Sequence, residues 1–352
     1  MRQRILTTVI ALSFLTTQLA WGQTTIIRRS KKTQTRTNSI SPDIPRIKKN
    51  GLTYEVLYFN NFAAVVSDDE LSNRKMTGVI DIPEYIQYKG RNYPVTRIQC
   101  SFPAANKVKV PAQVESLWQM CEGYGASWKS VEIDSRNIHF SSLGNAIFDK
   151  NFTKLIRVSE KADGTFEIPS DVVTIGEHAF SFCEDLDAII VPSSVKVVGR
   201  EAFKCCYSLS AISIPASVEA IGDEVFYGDS SLVSIDLPKR IKKMGSNMFR
   251  GCSKLRTIRL PEGIRSISGY YFSECKSLSS VYLPDGLESI LNYAFYRCES
   301  LKEVSIPSSL IGNIEEGAFD FCDKLKSLTV RYPGGTTKIV PLKEIPFKAR
   351  WN

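Results

Sequence analysis

The chain has 352 residues, of which 43% are hydrophobic, 10% aromatic and 23% charged, enough apolar material for an extended core. That composition excludes a disordered chain, and after residue 22 no uncharged run approaches the ~20 residues that a membrane-spanning helix needs. The formal net charge of +8 is concentrated: residues 24–50 hold Arg28, Arg29, Lys31, Lys32, Arg36, Arg46, Lys48 and Lys49 against Asp43, so everything from Gly51 onward is near neutrality.

Residues 1–22 read as an export signal. Arg2 and Arg4 precede the uncharged stretch 5–19, and Ala20-Trp21-Gly22 puts small residues at the two positions a signal peptidase reads, so the mature chain is expected to begin at Gln23. The first cysteine is Cys100, so no lipid anchor on an N-terminal cysteine is expected. Residues 23–50 then read as a basic flexible leader, rich in Thr, Ser and Asn. Such a run serves either as a solubilising linker or as an attractor of polyanions, whether glycans, lipid head groups or cell-wall polymers. Nucleic-acid binding is not expected, because no aromatic-basic platform and no zinc or helix-turn-helix spacing accompanies the charge.

Residues 51–95 alternate at Leu52-Tyr54-Val56-Tyr58 and again at Val79 and Ile82, which predicts a β-rich cap over an open end of the structure. Residues 96–330 are taken as a repeat. Pro169, Pro192, Pro215, Pro238, Pro261, Pro284 and Pro307 stand 23 residues apart. Counting from each proline, the third and sixth residues are apolar (Val172 and Ile175, then Val195 and Val198), the eleventh is Phe from Phe180 to Phe295, and the seventeenth is Leu from Leu186 to Leu301. Positions twenty and twenty-two pair as Ile189 with Val191 through Val304 with Ile306, the spacing of a short strand that the next proline ends. Gly176, Gly199, Gly222 and Gly245 recur at position seven, where a left-handed turn is expected. A one-residue insertion near Gly312 shifts Ile314, Phe319 and Leu325. Worn coils precede these at Pro83 and Pro111, and residues 134–168 break the register as an insertion with a hairpin inside 138–158. Residues 331–352 remain as a C-terminal cap or tail.

No single coil can bury its apolar columns alone, so the expected fold is a repeat solenoid, mainly β with short helical or 3-10 turns, carrying one parallel sheet along its length.

The strings from Leu209 to Pro215 and from Val172 to Leu186, Leu-x-x-Ile-x-Ile-Pro and Val-x-x-Ile-Gly-x-x-Ala-Phe-x-x-Cys-x-x-Leu, resemble the BspA-like (Treponema pallidum-type) leucine-rich repeat of bacterial cell-surface and secreted proteins. The opening coil around Tyr88-Lys89-Gly90 and Tyr93-Pro94-Val95-Thr96, and the insertion at 144–156, resemble features of the same family. The chain lacks the Asn ladder of the wider leucine-rich-repeat pattern. The resemblance implies binding of host extracellular matrix or other surface macromolecules, and the chain reads as right-handed coils forming a monomeric adhesion or interaction module for a protein or glycan.

Cys183, Cys206, Cys252, Cys275 and Cys298 share position fourteen, Cys322 comes after the insertion, and Asp229 interrupts the column. Between the recurring Phe and Leu, a small apolar thiol fits a buried slot, so free thiols are expected over a disulfide ladder. No cofactor or metal is expected. The two histidines, His139 and His178, have no nucleophile or ligand partner at useful spacing, and His178 sits at a variable position expected to be exposed. Ser193-x-x-Lys196 matches a hydrolase string only by letters, in a turn after a strand-ending proline. The chain therefore reads as a non-enzyme, the alternatives being a structural spacer that binds through its leader or an enzyme with a site in 138–158. On the outer sheet face, positions nineteen and twenty-one place Asp236, Arg259, Tyr282 and Glu303 in adjacent coils, with Arg256 and Lys302 beside them at position eighteen. These six are the expected binding residues.

Overall fold

The computed structural model describes residues 44–57, 64–67, 76–121, 126–239 and 241–349. The export segment 1–22 and leader residues 23–43 lie outside them. The last part of the leader is not a tail: Arg46–Lys49 is a strand paired antiparallel with Leu52–Val56, and Arg46 meets Glu55 at 2.7 Å. Alternating Leu52, Tyr54 and Val56 supply a buried face, and the sheet continues through Ala64–Ser67 and Arg91–Gln99 to Tyr85–Tyr88. Beneath that cap, Gly78–Asp81 already pairs in parallel with Ala105–Val110, which pairs with Ser130–Ile133. Coil stacking therefore begins inside the stretch read as cap.

Phe140–Leu143 and Ala146–Asp149 form the expected hairpin about Gly144, whose φ is +61°. A third strand, Lys154–Val158, pairs antiparallel with the hairpin and then in parallel with Thr174–Ile175, so the insertion joins the stack instead of budding from it. The insertion is shorter than expected, since Asp163–Glu167 is a ladder strand paired with Asp185–Ile190.

The coils stack with their apolar columns inward in a solenoid. Phe180, Phe203, Phe226, Phe249, Phe272, Phe295 and Phe319 form a continuous ring stack with centroids 5.1–5.5 Å apart, close to the spacing of neighbouring strands. All nine cysteines are buried and none is in a disulfide, and the column thiols of Cys206, Cys252, Cys275, Cys298 and Cys322 each reach the carbonyl of a column Phe in the preceding coil at 3.0–3.3 Å.

Where one sheet was expected, backbone hydrogen bonds run along three sides. The first side is the strand ladder at positions nineteen to twenty-three, interrupted on either side of the pair Ala211–Ser213 and Ser234–Asp236 and continuous from Thr257–Arg259 to Ser327–Arg331. The second is a ladder of two-residue strands from Thr174–Ile175 to Lys243–Met244, resumed at Ser266–Ile267 and Ser289–Ile290. On the third side, amides of positions nine, eleven and thirteen donate to the next coil, as in Phe180 to Ala202 at 2.7 Å and Phe203 to Val225 at 3.0 Å. Here lie the left-handed residues, at positions nine and thirteen: His178, Glu201 and Tyr293, then Phe182, Cys205 and Arg297, with φ between +52° and +62°. The position-seven glycines are not left-handed. A Cβ on Gly199 or Gly222 would stand 2.6 Å from the backbone nitrogen of Glu177 or Arg200 in the previous coil, so close coil contact is what demands glycine.

Candidate functional site

The outer face of the first ladder presents side chains that strand alternation turns away from the core. Register sets two columns on it: Thr257, Ser280 and Glu303 stand in line, and Arg259, Tyr282, Ser305 and Thr329 stand beside them. Arg259 and Tyr282 are thus adjacent across the ladder, and the guanidinium carbon lies 4.7 Å from the ring centroid. Tyr282 is 37% exposed.

A second guanidinium over that ring comes from a residue that repeat counting missed. Arg331 lies 4.3 Å from the Tyr282 centroid, so two guanidiniums pack on the one ring. Arg331 is fixed from several directions: it donates to Ser305 Oγ at 2.6 Å, to Asp285 Oδ1 at 2.8 Å and to the Leu283 carbonyl. Its side chain is 16% exposed, whereas Asp285 is 79% exposed, so Arg331 acts as the anchor and Asp285 as its solvent-side clamp. The signal available in the sequence was a basic residue closing the strand Ser327–Arg331, hidden by the shift that the Gly312 insertion imposes.

Arg259 is exposed and has no carboxylate partner among the described residues. It borders an open cleft together with Tyr282, Asp285, Glu262 and Arg265, the last paired with Glu288 at 3.3 Å. A planar guanidinium oriented by stacking and free of internal acceptors can take a carboxylate, sulfate or carbonyl from a partner.

The other expected residues lie apart from this stack. Asp236 sits beyond the ladder interruption, opposite Ser213, whose hydroxyl donates to it at 3.5 Å. Glu303 belongs to the neighbouring column, and Arg256 and Lys302 are exposed just before their strands. Among the described residues no ion pair joins any of the six expected side chains.

His178 occupies a variable position, but it is not exposed as expected. Its side chain is 26% exposed, Nδ1 lies 3.5 Å from Glu201 Oε2, and burial holds its pKa below the usual histidine value. Burial opposes ionisation of Glu201, yet the hydrogen bond and charge of Lys204 at 2.8 Å, with His178 and Arg200, hold that carboxyl below its ordinary range. The group is an ion network bridging three coils with its acids and bases paired. In the insertion, the His139 ring packs 6.1 Å from Phe140. Among the described residues no three His, Cys, Asp or Glu side chains converge as metal ligands, and no helix is long and apolar enough to cross a membrane.

Comparison with known proteins agrees with this architecture. The profile described as the BspA type Leucine rich repeat region matches in six copies over residues 164–276 and 219–340. A leucine-rich repeat protein from Eubacterium ventriosum superimposes with a TM-score of 0.57 at 20% identity, covering 78% of this chain and 93% of that one. One from Bacteroides ovatus gives 0.53 at 19% identity, covering 81% and 78%. The pneumococcal vaccine antigen PcpA gives 0.51 at 17% identity, covering 78% and 97%. No curated protein matches the sequence.

Proposed function

This chain belongs to the BspA-type leucine-rich repeat family, and on that premise we propose that it is an exported, non-enzymatic binding module that engages a protein or glycan macromolecule through the outer face of its strand ladder. The observation that carries the reading is the Arg259–Tyr282–Arg331 stack: an exposed ring and an unpaired guanidinium held in a fixed orientation above a cleft. Arg and Tyr dominate the energetics of interfaces because they bring large contact area and several donors at small entropic cost. The signal-like pattern of residues 1–22 supports export to the cell surface or medium, where host matrix proteins and glycans are the macromolecules at hand. Arg259, Tyr282 and Arg331 form the centre of the site, and Asp236, Arg256, Lys302 and Glu303 lie outside the stack.

The test is capture from extracellular-matrix and glycan preparations, comparing the wild type with Arg259→Ala/Tyr282→Ala. The substitutions should weaken capture about tenfold or more while leaving the melting temperature unchanged, because both side chains are exposed. Equal capture by both proteins would remove the site from this face. A parallel form lacking the leader should begin at Ile44, since a cut at Gly51 would strip the strand Arg46–Lys49 from the cap. Capture retained by that form at physiological salt places recognition on the solenoid; capture lost with the leader, and fading as salt rises, places it on residues 23–43.

A further inference from the structure

The third side of the solenoid carries a second run of aromatic and basic side chains. Arg250 lies 5.7 Å from the Tyr227 centroid and 5.0 Å from that of Tyr270. Tyr270 stacks on Tyr293 at 5.3 Å and 24°. Tyr296 meets Tyr293 edge-on at 5.5 Å, and Arg297 lies over Tyr296 at 5.3 Å and over Phe321 at 5.8 Å. Tyr270 and Phe321 are among the most exposed aromatics, at 38% and 58%. This spine comes from positions nine, twelve and thirteen, the side with the left-handed residues, and it is separate from the strand face that carries Arg259 and Tyr282.

The way the rings are arranged decides what they can bind. An aromatic ring is negative on its face and positive along its edge. In this spine a guanidinium or a neighbouring ring lies against each of Tyr227, Tyr270, Tyr293 and Tyr296, while Phe321 stays 58% exposed, so the solvent side offers guanidinium N–H groups beside aromatic surface. Among the described residues neither Arg250 nor Arg297 has a carboxylate within ion-pair reach; Glu274, in the column between them, pairs with neither. Glu201 and Glu224, further along, are already engaged by Lys204 at 2.8 Å and 3.4 Å.

We propose that the spine is a second interaction surface, and that it takes an acidic, extended polypeptide whose carboxylates meet the Arg250 and Arg297 forks. The two arginines stand two coils apart, about 10 Å at the ~4.8 Å strand spacing. Carboxylates three residues apart on a polyproline II segment lie on one side at about 9 Å, which matches that separation. Bidentate pairing at each fork and apolar contact with the ring edges between them supply the affinity.

The test uses the full chain at physiological salt and a fluorescein-labelled peptide of Glu-Pro-Pro repeats, read by anisotropy. Arg250→Ala/Arg297→Ala should weaken binding about tenfold or more, two lost charge-assisted contacts being worth at least that. Arg250→Gln/Arg297→Gln, which keeps much of each stem on its ring, should show the same loss with the fold intact should the alanine pair lower the melting temperature. The basic leader contributes equally to wild type and variants, so the difference reports the spine. Loss of this peptide in Arg259→Ala/Tyr282→Ala with no loss in the Gln pair would place the acidic segment on the strand face and likewise overturns the proposal. Equal peptide binding by wild type and the Gln pair overturns the proposal. Arginine-dependent capture of heparin with no such dependence for the peptide also overturns it, in favour of an anionic polysaccharide.

Discussion

Asp229 occupies the slot that cysteine fills in the coils on both sides of it, and the exchange alters more than polarity. A column thiol donates to a Phe carbonyl one coil back; the Asp229 carboxyl instead accepts the Cys206 amide at Oδ1, 2.9 Å away, and leaves Oδ2 buried without a partner. Burial pushes its pKa well above the usual carboxylate value, against the lowering effect of the Cys206 hydrogen bond, so the folded state holds the proton. The unfolded chain releases that proton near pH ~4. Stability that is full below pH ~4 is therefore lost as pH rises toward the folded-state pKa, because only the unfolded state gains from ionising. Asp229→Cys, which restores the column, should raise the melting temperature, with an advantage over wild type that grows between pH ~4 and pH ~8. A pH-independent difference, measured by thermal unfolding across that range, would place the effect in packing instead of ionisation. At this scale the sequence was legible where columns repeat: the break at Asp229 and the outward turn of Arg259 and Tyr282 both come from period and alternation. Arg331 was not, because its contact with Tyr282 depends on a two-coil reach through Ser305 and Asp285 that no offset from the proline encodes.

At the scale of the single coil, the recurring position-seven glycine and the left-handed backbone turn out to fall at different places. Period alone marked position seven as special, and the natural reading of a recurring glycine is positive φ. Left-handed backbone falls instead at His178, Glu201, Glu224 and Tyr293, each of which accepts a conformation costing about 1 kcal/mol in return for an amide aimed at the next coil. The glycines permit the neighbouring coil to approach: beside Gly222 the Arg200 backbone nitrogen stands 2.6 Å from where a Cβ would be. Gly222→Ala should therefore destabilise by about 1–3 kcal/mol, the cost of overpacking a rigid contact. Glu224→Gly, at a left-handed position of the same coil, should recover much of its lost side-chain contact as relieved backbone strain. Chemical denaturation of both variants checks the contrast, and a mild Gly222→Ala would mean that the coils part easily. The reason for the misreading is physical: steric exclusion by another coil and a strained φ both select glycine, and only coordinates distinguish them.

Across the whole molecule, stacking solves the burial problem and creates another at the two ends. Each coil buries its Phe against the next, so the last coil needs a substitute for the neighbour it lacks. The N-terminal end is closed by the sheet containing Arg46–Lys49 and Leu52–Val56. At the other end Thr337–Pro341 turns back antiparallel on Ser327–Arg331, Ile345 is buried, and Lys348 exchanges backbone bonds with the last coil, accepting from Glu316 at 2.9 Å and donating to Ile314 at 2.8 Å. The sequence disclosed the solenoid and its N-terminal cap through columns and alternation, while this closing strand escaped notice because Lys338 and Ile339 are exposed and leave no period. Its role is protection of an edge: without it, Ser327–Arg331 would present unpaired N–H and C=O groups beside a buried apolar face. Ending the chain at Gly335 should thus lower the melting temperature and produce dimers or larger species in size-exclusion chromatography with light scattering. Arg331 remains in that shortened chain, so ligand capture at Tyr282 by whatever monomer survives should persist. A shortened chain that stays monomeric and equally stable would show that Leu328 and Val330 hold the last coil without help, and that the tail from Thr337 onward serves something other than closure.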